Sequence, residues 1–355
     1  MTRVTKGIPK QIYGYLLFYC YAVEEFGMRL EALAKSDALP HDRRALGTAQ
    51  RFETGAFGEV PQMTYRGHSY PLTAVPNVFS WAERELKLPE PAGGSVVYLP
   101  HCTVLRLLIT SLETGLRLQS VQWLDRESWR SLGTQTPEES YAFPLLVNTD
   151  KSETTNWPTY IVHRVKNVLQ RQEAFQAQFA DADSFGPVEY EGLDLSPFDS
   201  IRPLFRSPNS AYPVSDELCN KHWKRLMVAF EEFYREATKE RHVRMFKLQP
   251  LLHDDGTPII KGTGGAVERT YCPIKILAIH TPRACRATFA TYRNGSLELS
   301  DFAELLGHSN VVVTAHYAKS GEDGVEPSNQ TLLHLSPEDE KLPPAASADE
   351  LKDCP

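Results

Sequence analysis

Thr281-Pro-Arg283-Ala-Cys-Arg286-Ala-Thr-Phe289-Ala-Thr, then Glu304-Leu-Leu-Gly307-His308-Ser, then His316-Tyr317: these three stretches decide how the chain is read. Pro282 suits the first turn of a helix, where its missing N–H would have had no partner anyway. That helix is predicted to run to about Arg293, with Phe289 and Ala290 on its core side. Ser300 is placed to cap a second helix carrying Phe302, Leu305 and Leu306, and Gly307 ends it. Ser309 or Asn310 caps a third, which carries Tyr317. Helices at these intervals can gather arginines, a histidine and a tyrosine hydroxyl at one place.

Those residue types suit attack on a phosphodiester. Phosphoryl transfer builds negative charge on the non-bridging oxygens. Arginine stays charged and presents a planar fork of donors, so Arg286, with Arg117 upstream in Thr114-Gly-Leu-Arg117, suits a clamp. A deprotonated Tyr317 is a competent nucleophile, and a covalent link to it preserves the bond energy, so resealing needs no ATP. Lys151, in the polar stretch Asn148 to Asn156, suits a general acid for the departing 5′ oxygen. His308 suits a hydrogen-bond donor to the phosphate. No cofactor is called for, and no His/Cys/Asp cluster has the spacing of metal ligands. His253-Asp254-Asp255 reads as a polar turn before Gly256. Gly262-Thr-Gly-Gly265 lacks the Lys-Ser/Thr that a phosphate-binding loop requires.

The same stretches resemble a known family. Thr281-Pro-Arg-Ala-Cys-Arg286-Ala-Thr-Phe-Ala-Thr is similar to the T-P-H-x-L-R-x-T-F-A-T box of tyrosine recombinases, also called phage-type integrases. Glu304-Leu-Leu-Gly-His308-Ser resembles their E-L-L-G-H-S box. Tyr317 follows His308 by 9 positions and Arg286 precedes it by 22, both within the family's range. Thr114-Gly-Leu-Arg117 resembles the T-G-L-R that carries the first catalytic arginine, and Thr149-Asp-Lys151 the hairpin lysine. The resemblance spans about residues 95–320. It implies an α+β, mainly helical catalytic domain with a small antiparallel sheet, preceded by a short helical region. It implies a catalytic set of Arg117, Lys151, Arg283, Arg286, His308 and Tyr317, with Tyr317 as nucleophile. The activity implied is site-specific DNA recombination or integration for a mobile element, through a 3′-phosphotyrosyl intermediate. Double-stranded DNA is the implied partner, bound by a homotetramer on two sites that trades C-terminal segments between neighbours. Accessory recombinases are further partners the resemblance allows.

The chain departs from the pattern in places. Arg283 stands where the family has His or Lys, and arginine is a poor proton acceptor. Either Arg283 adds positive charge at the phosphate or nearby His280 takes the histidine's part. Pairing His280 with Arg283 as the H-x-x-R motif is disfavoured, because it turns Arg286 toward the apolar side. Ser120 replaces a frequent acidic residue. The span from Lys151 to Arg286 is long, which implies an insertion around 181–215 or 250–270. Taken singly, each residue has an ordinary reading: Arg117 as a solvated turn residue, Arg283 and Arg286 as a surface pair, Tyr317 as packing. Joint order and spacing favour the site. A catalytically impaired DNA-binding relative is the alternative. A protein-interaction module that has lost DNA binding and a type IB topoisomerase stand behind it.

Working outward, 355 residues with 41% hydrophobic and 23% charged content are ordinary for a globular chain of about two domains. The net charge of −7 is unevenly spread. Residues 221–293 hold 14 Lys and Arg against 7 Asp and Glu, whereas 301–355 hold 3 against 11. An acidic tail thus hides a basic middle, the balance expected of a nucleic-acid binder. No apolar run reaches membrane-spanning length and the N-terminus lacks a signal-peptide core, so no membrane association and a cytoplasmic location with reduced thiols are expected.

Residues 11–36 read as a helix and 77–88 as a short one. Pro89-Glu-Pro91-Ala-Gly-Gly-Ser reads as a linker, which divides a helical region, 1–90, from the catalytic domain, 95–320. Helices are predicted at 103–114, 165–179 and 217–237, with a hairpin over 143–162 that carries Lys151. The tail, 321–355, is expected to be disordered apart from Leu332-Leu333-His-Leu335, which reads as a docking peptide.

Overall fold

The computed structural model describes residues 7–40, 42–87, 96–133, 142–149, 156–180, 184–192, 196–262, 270–293 and 306. It is a mixed structure of helices and small antiparallel sheets. In chain order, α1 (Lys10–Lys35) and α2 (Arg43–Thr48) precede five short strands: β1 (Arg51–Glu53), β2 (Gln62–Tyr65), β3 (His68–Pro71), β4 (Ala74–Pro76) and β5 (Ser80–Glu85). Then follow β6 (Val96–His101), α3 (Thr103–Thr114), α4 (Leu118–Gln122), the strands β7 (Ala142–Val147) and β8 (Trp157–Val162), α5 (His163–Ala177) and α6 (Asp216–Thr238). The last elements are β9 (Phe246–Pro250), β10 (Lys261–Gly262), β11 (Thr270–Tyr271), β12 (Ile274–Ala278) and α7 (Ala284–Arg293). The strands pair two by two: β1 with β4, β2 with β3, β5 with β6, β7 with β8, β9 with β12, and β10 with β11.

The centre is α3, all twelve residues of which are buried. Its sequence, Thr-Val-Leu-Arg-Leu-Leu-Ile-Thr-Ser-Leu-Glu-Thr, is half apolar and half polar, so enclosing it on every side requires partners for the polar half. α1, α5, α6 and α7 all pack against it. The charged groups carried inside are paired, whereas the buried Ser111 Oγ on the same helix has no hydrogen-bond partner among the described residues. Glu24 on α1, 1% exposed, accepts from Arg106 Nε of α3 at 2.8 Å and from Arg171 Nη2 of α5 at 2.8 Å. Burial pushes the Glu24 carboxyl up, yet the charges of Arg171 and Arg106 outweigh it and hold the group below its ordinary range. Glu113 on α3 receives Tyr21 Oη at 3.0 Å and pairs with Arg164 of α5. These bonds join the first helix to two later ones across 82 and 147 positions of sequence.

Two expectations change. The helix expected at 77–88 is instead the strand β5, whose six residues pair with Val96–His101. Val78, Trp81 and Leu86 satisfy a helical stripe on paper, but a run this short fits either period, and pairing with β6 decides it. The region 1–90, expected to hold helices at 11–36 and 77–88 with a weakly patterned stretch between them, also holds β1 to β4, including a hairpin between β2 and β3. Its turn is Arg66-Gly67, both at positive φ (51° and 73°), the backbone that tight two-residue hairpins require. The expected division near residue 90 falls between the paired strands β5 and β6. Leu16, Val23 and Phe26 of α1 share one core with Leu108 and Leu112 of α3 and Leu226 of α6.

Two element readings hold. β7 and β8 form the hairpin expected over 143–162, in register from Ala142↔Val162 to Val147↔Trp157. α6 buries Trp223, Leu226, Phe230 and Tyr234 on one stripe. Ser215 caps it, accepting from Leu218 N at 3.2 Å. The cysteines Cys20, Cys102, Cys219, Cys272 and Cys285 are free thiols. No helix among the described residues is long and apolar enough to cross a membrane. The tail expected to be disordered lies outside the described residues.

Candidate functional site

Three of the stretches singled out in the sequence meet at the end of α3. Gly115 terminates that helix in the left-handed conformation (φ 65°), and its N–H returns to Ser111 O at 3.1 Å. The next residues turn through Leu116 to Arg117, an extended residue (φ −59°, ψ 139°) standing just before α4. Arg117 is half-buried, and its carbonyl accepts from Val121 N at 3.1 Å.

α7 lies against this turn. Its Phe289 ring comes so close to Gly115 that a Cβ there would meet Phe289 Cδ1 at 2.5 Å. The glycine thus serves twice: it supplies the positive φ and leaves room for the ring. Arg286, one turn earlier on α7, is 7% exposed. Its Nη1 donates to Gly115 O at 3.1 Å and its Nη2 to Leu306 O at 2.8 Å. One guanidinium therefore binds the Thr114–Arg117 turn to the Leu-Leu-Gly-His segment. Leu306 is buried and stands two positions before His308 in the sequence.

The mouth of α7 is built by its neighbours. Ala284 N donates to Thr281 O at 2.8 Å, which closes the first turn after Pro282. Trp223 of α6 donates its Nε1 to His280 O at 2.6 Å and pins the entry segment. His280 is half-buried, and Arg283 points to solvent at the start of the helix. Behind them Cys285 is buried, and burial pushes its thiol up to about 12, which leaves it no nucleophilic character at neutral pH. The chain start reaches the same place: Ile8 N donates to Thr288 Oγ1 at 2.7 Å, and Tyr13 Oη to Leu112 O at 2.9 Å.

The β7–β8 hairpin is moored to the stretch that follows α4. Asp125 N donates to Asn148 Oδ1 at 2.9 Å, and Asn148 Nδ2 donates to Ser128 Oγ at 3.1 Å. Leu146 N also donates to Trp129 O at 3.0 Å. Asn148 and Thr149, the last described residues before Lys151, are buried.

Of the six expected site residues, the structure thus brings together the turn bearing Arg117 and the helix bearing Arg286, with Arg283 in the turn just before that helix. Lys151, His308 and Tyr317 lie outside the described residues. Reading by motif alone missed the supports: Trp223, the Asn148–Asp125 clasp and the approach of Phe289 to Gly115. Trp223 was visible only as one more member of an apolar stripe. Asn148 and Asp125 carry no spacing signal, because their contact crosses 23 positions of chain. Among the described residues, no group of three or more His, Cys, Asp or Glu could hold a metal ion.

No family profile matches the chain, and no curated protein matches it significantly. Among solved structures, it is similar to a Tn1549 transposon integrase in complex with transposon right end DNA, at 16% identity and a TM-score of 0.32. The similarity covers 60% of this chain and about half, 53%, of that one. A likeness this distant carries no argument of its own, so the functional reading rests on the residues.

Proposed function

We propose that the chain is a site-specific DNA recombinase of the tyrosine type, acting in the integration or recombination of a mobile element. One observation carries this reading: the Arg286 guanidinium joins the turn of Arg117 to the segment that leads into His308. Gly115 and Arg286, separated by 171 positions of chain, and Leu306, 20 positions further on, are thereby neighbours. In the proposed reaction Arg117 and Arg286 hold the non-bridging oxygens of one phosphate, and His308 adds a hydrogen bond. The Tyr317 phenol gives its proton to water and its oxygen attacks phosphorus; the P–O5′ bond breaks, and Lys151 supplies the proton that the leaving 5′ oxygen takes up. A partner strand's 5′ hydroxyl then attacks the 3′-phosphotyrosyl bond, which frees Tyr317 and seals the exchanged strand. Exposed Arg283 adds positive charge at the phosphate. A tetramer on two duplexes would perform the exchange, with phosphate contacts making its affinity fall with salt.

The test is to incubate the protein with a pool of nicked duplexes of randomised sequence and recover DNA that stays attached in detergent. Wild-type protein should retain DNA covalently, and Tyr317→Phe should bind without retaining it. Equal retention by the two proteins would refute the assignment of the nucleophile.

A catalytically impaired, DNA-binding relative is the second reading. The near-complete burial of Arg286 and its bonds to two backbone carbonyls favour it, because such an arginine serves the fold first. It predicts salt-sensitive DNA binding with no covalent product from either protein.

A further inference from the structure

We propose that a groove walled by α6, β12 and the β1–β4 ribbon is the docking site for this chain's own segment Leu332–Glu340, bound in the same molecule. The groove encloses about 1000 Å³. It is independent of the recombination chemistry.

One wall is apolar and open to water. Of the eleven exposed large hydrophobic residues among those described, seven lie between Leu248 and Ile279. The register of β9 with β12 sets Leu248 opposite Ile276 and Pro250 opposite Ile274, so one face of this ribbon is apolar while Lys247, Gln249 and Lys275 alternate with it. Ile274 (59% exposed) and Ile276 (39% exposed) face the groove, across from Val228 and Phe233 of α6. A contiguous apolar face of this kind marks a contact surface.

The other feature is an excess of positive charge toward the start of α6, where Lys221, Lys224 and Arg225 outnumber Glu217, while Glu232 and Glu236 line the far end. Lys221, Lys224 and Arg225 share one face of α6 by their spacing, and Lys275 lies across the groove from them. None of the four makes an ion pair among the described residues, whereas Arg51 at the groove floor is paired with Glu53 and Glu232. Arg225 is held in place by its bond from Nη1 to Asn77 O at 3.0 Å. The occupant should therefore be apolar at one end and acidic at the other.

Leu332-Leu333-His334-Leu335-Ser-Pro-Glu338-Asp339-Glu340 has that order. Its apolar and acidic parts are centred five to six residues apart, roughly 18 Å if extended. On α6 the cations precede Val228–Phe233 by two to three turns, about 10–15 Å. An antiparallel arrangement sets leucines on Ile274 and Ile276 and carboxylates near Lys221, Lys224 and Arg225, with Lys275 beside the isoleucines. The 25 residues between Leu306 and Leu332 reach as far as about 90 Å. A folded chain of this length has a radius of gyration near 20 Å, so the tether spans the molecule. Tethering also gives a local concentration of about millimolar order, which favours the chain's own segment over a second copy's.

The experiment replaces Leu333 in the full chain with photoreactive benzoylphenylalanine, irradiates at low protein concentration and maps crosslinks by mass spectrometry. Intrachain crosslinks to α6 or β12 are expected. Lys224→Glu with Lys275→Glu should lower their yield by about tenfold. Adding Glu338→Lys and Glu340→Lys to that variant should restore it. Tyr317→Phe should leave it unchanged, which separates this proposal from the catalytic one. Crosslinks confined to other surfaces, crosslinks only between chains, or a yield indifferent to the charge reversal would overturn it. So would absence of the crosslink together with weaker DNA retention in the Lys224→Glu, Lys275→Glu variant, which would assign the groove to nucleic acid.

Discussion

Arg286 has two tasks that one substitution can separate. Its fork satisfies the carbonyls of Gly115 and Leu306, and in the proposed chemistry it also faces the phosphate. Arg286→Ala strands two buried acceptors and should cost about 1–3 kcal/mol in urea unfolding. Arg286→Lys keeps the charge but loses the fork. It should retain most of the stability yet slow formation of the covalent DNA product by about 100-fold or more. A lysine variant with normal product formation would show that the fork acts on the fold alone.

Two buried histidines give a second expectation at this scale. Burial, then the nearby charges of His222 and Arg106, push His101 down to about 3. Burial, aided by Arg225 and Lys221 and opposed by a backbone hydrogen bond at Val78, pushes His222 down to about 4. The unfolded chain takes up these protons near the ordinary value of 6.5, while the folded chain stays neutral there. Their contribution to stability is complete above pH 6.5 and is lost as pH falls from 6.5 toward 4. The urea midpoint should therefore drop across that window. The loss should be smaller in the double variant His101→Asn, His222→Asn than in the wild type.

Among the elements, the junction of α3 with α7 is the most exacting. Gly115→Ala meets both a positive φ and the Phe289 ring, and should cost about 2–4 kcal/mol in chemical denaturation. Asn tolerates the backbone, yet its Cβ meets the same ring, so Gly115→Asn should recover little. Equal stability of Gly115→Ala and wild type would mean that α7 does not press on this turn. The sequence made this junction partly legible. Gly115 reads as a helix cap, and the box around Arg286 reads as a helix with Phe289 inward. What the pattern could not supply was the partner of each surface, since Gly115 and Phe289 are far apart in the chain. β5 shows the opposite limit: six residues with Trp81 and Ala82 fit two periodicities, and only β6 resolves them. The Arg66-Gly67 hairpin turn was readable in principle, but the segment's polarity hid the alternation of buried Met63 and Tyr65.

Over the whole molecule, buried charge ties the first helix to the centre. Glu24→Gln would take the counter-charge from Arg106, 2% exposed, and one ion-pair partner from Arg171, at a cost of about 3–5 kcal/mol. Hydrogen exchange should then rise in α1 and α5 together. Exchange rising in α1 alone would mean that α1 packs as a separate unit. No motif announced this network, because a single Glu within an apolar helix gives no sign of which arginines will meet it. The charge asymmetry was readable from composition, and the groove beside α6 gives part of the basic middle a location.

The central claim is that Tyr317 becomes joined to DNA. Protein trapped on a nicked duplex can be digested with protease and nuclease, and the nucleotide-bearing peptide sequenced by mass spectrometry. A single modified peptide is expected, with a 3′-nucleotide on the phenolic oxygen of Tyr317. A modified residue elsewhere, or DNA bound tightly by the wild-type protein with no modified peptide, would contradict it.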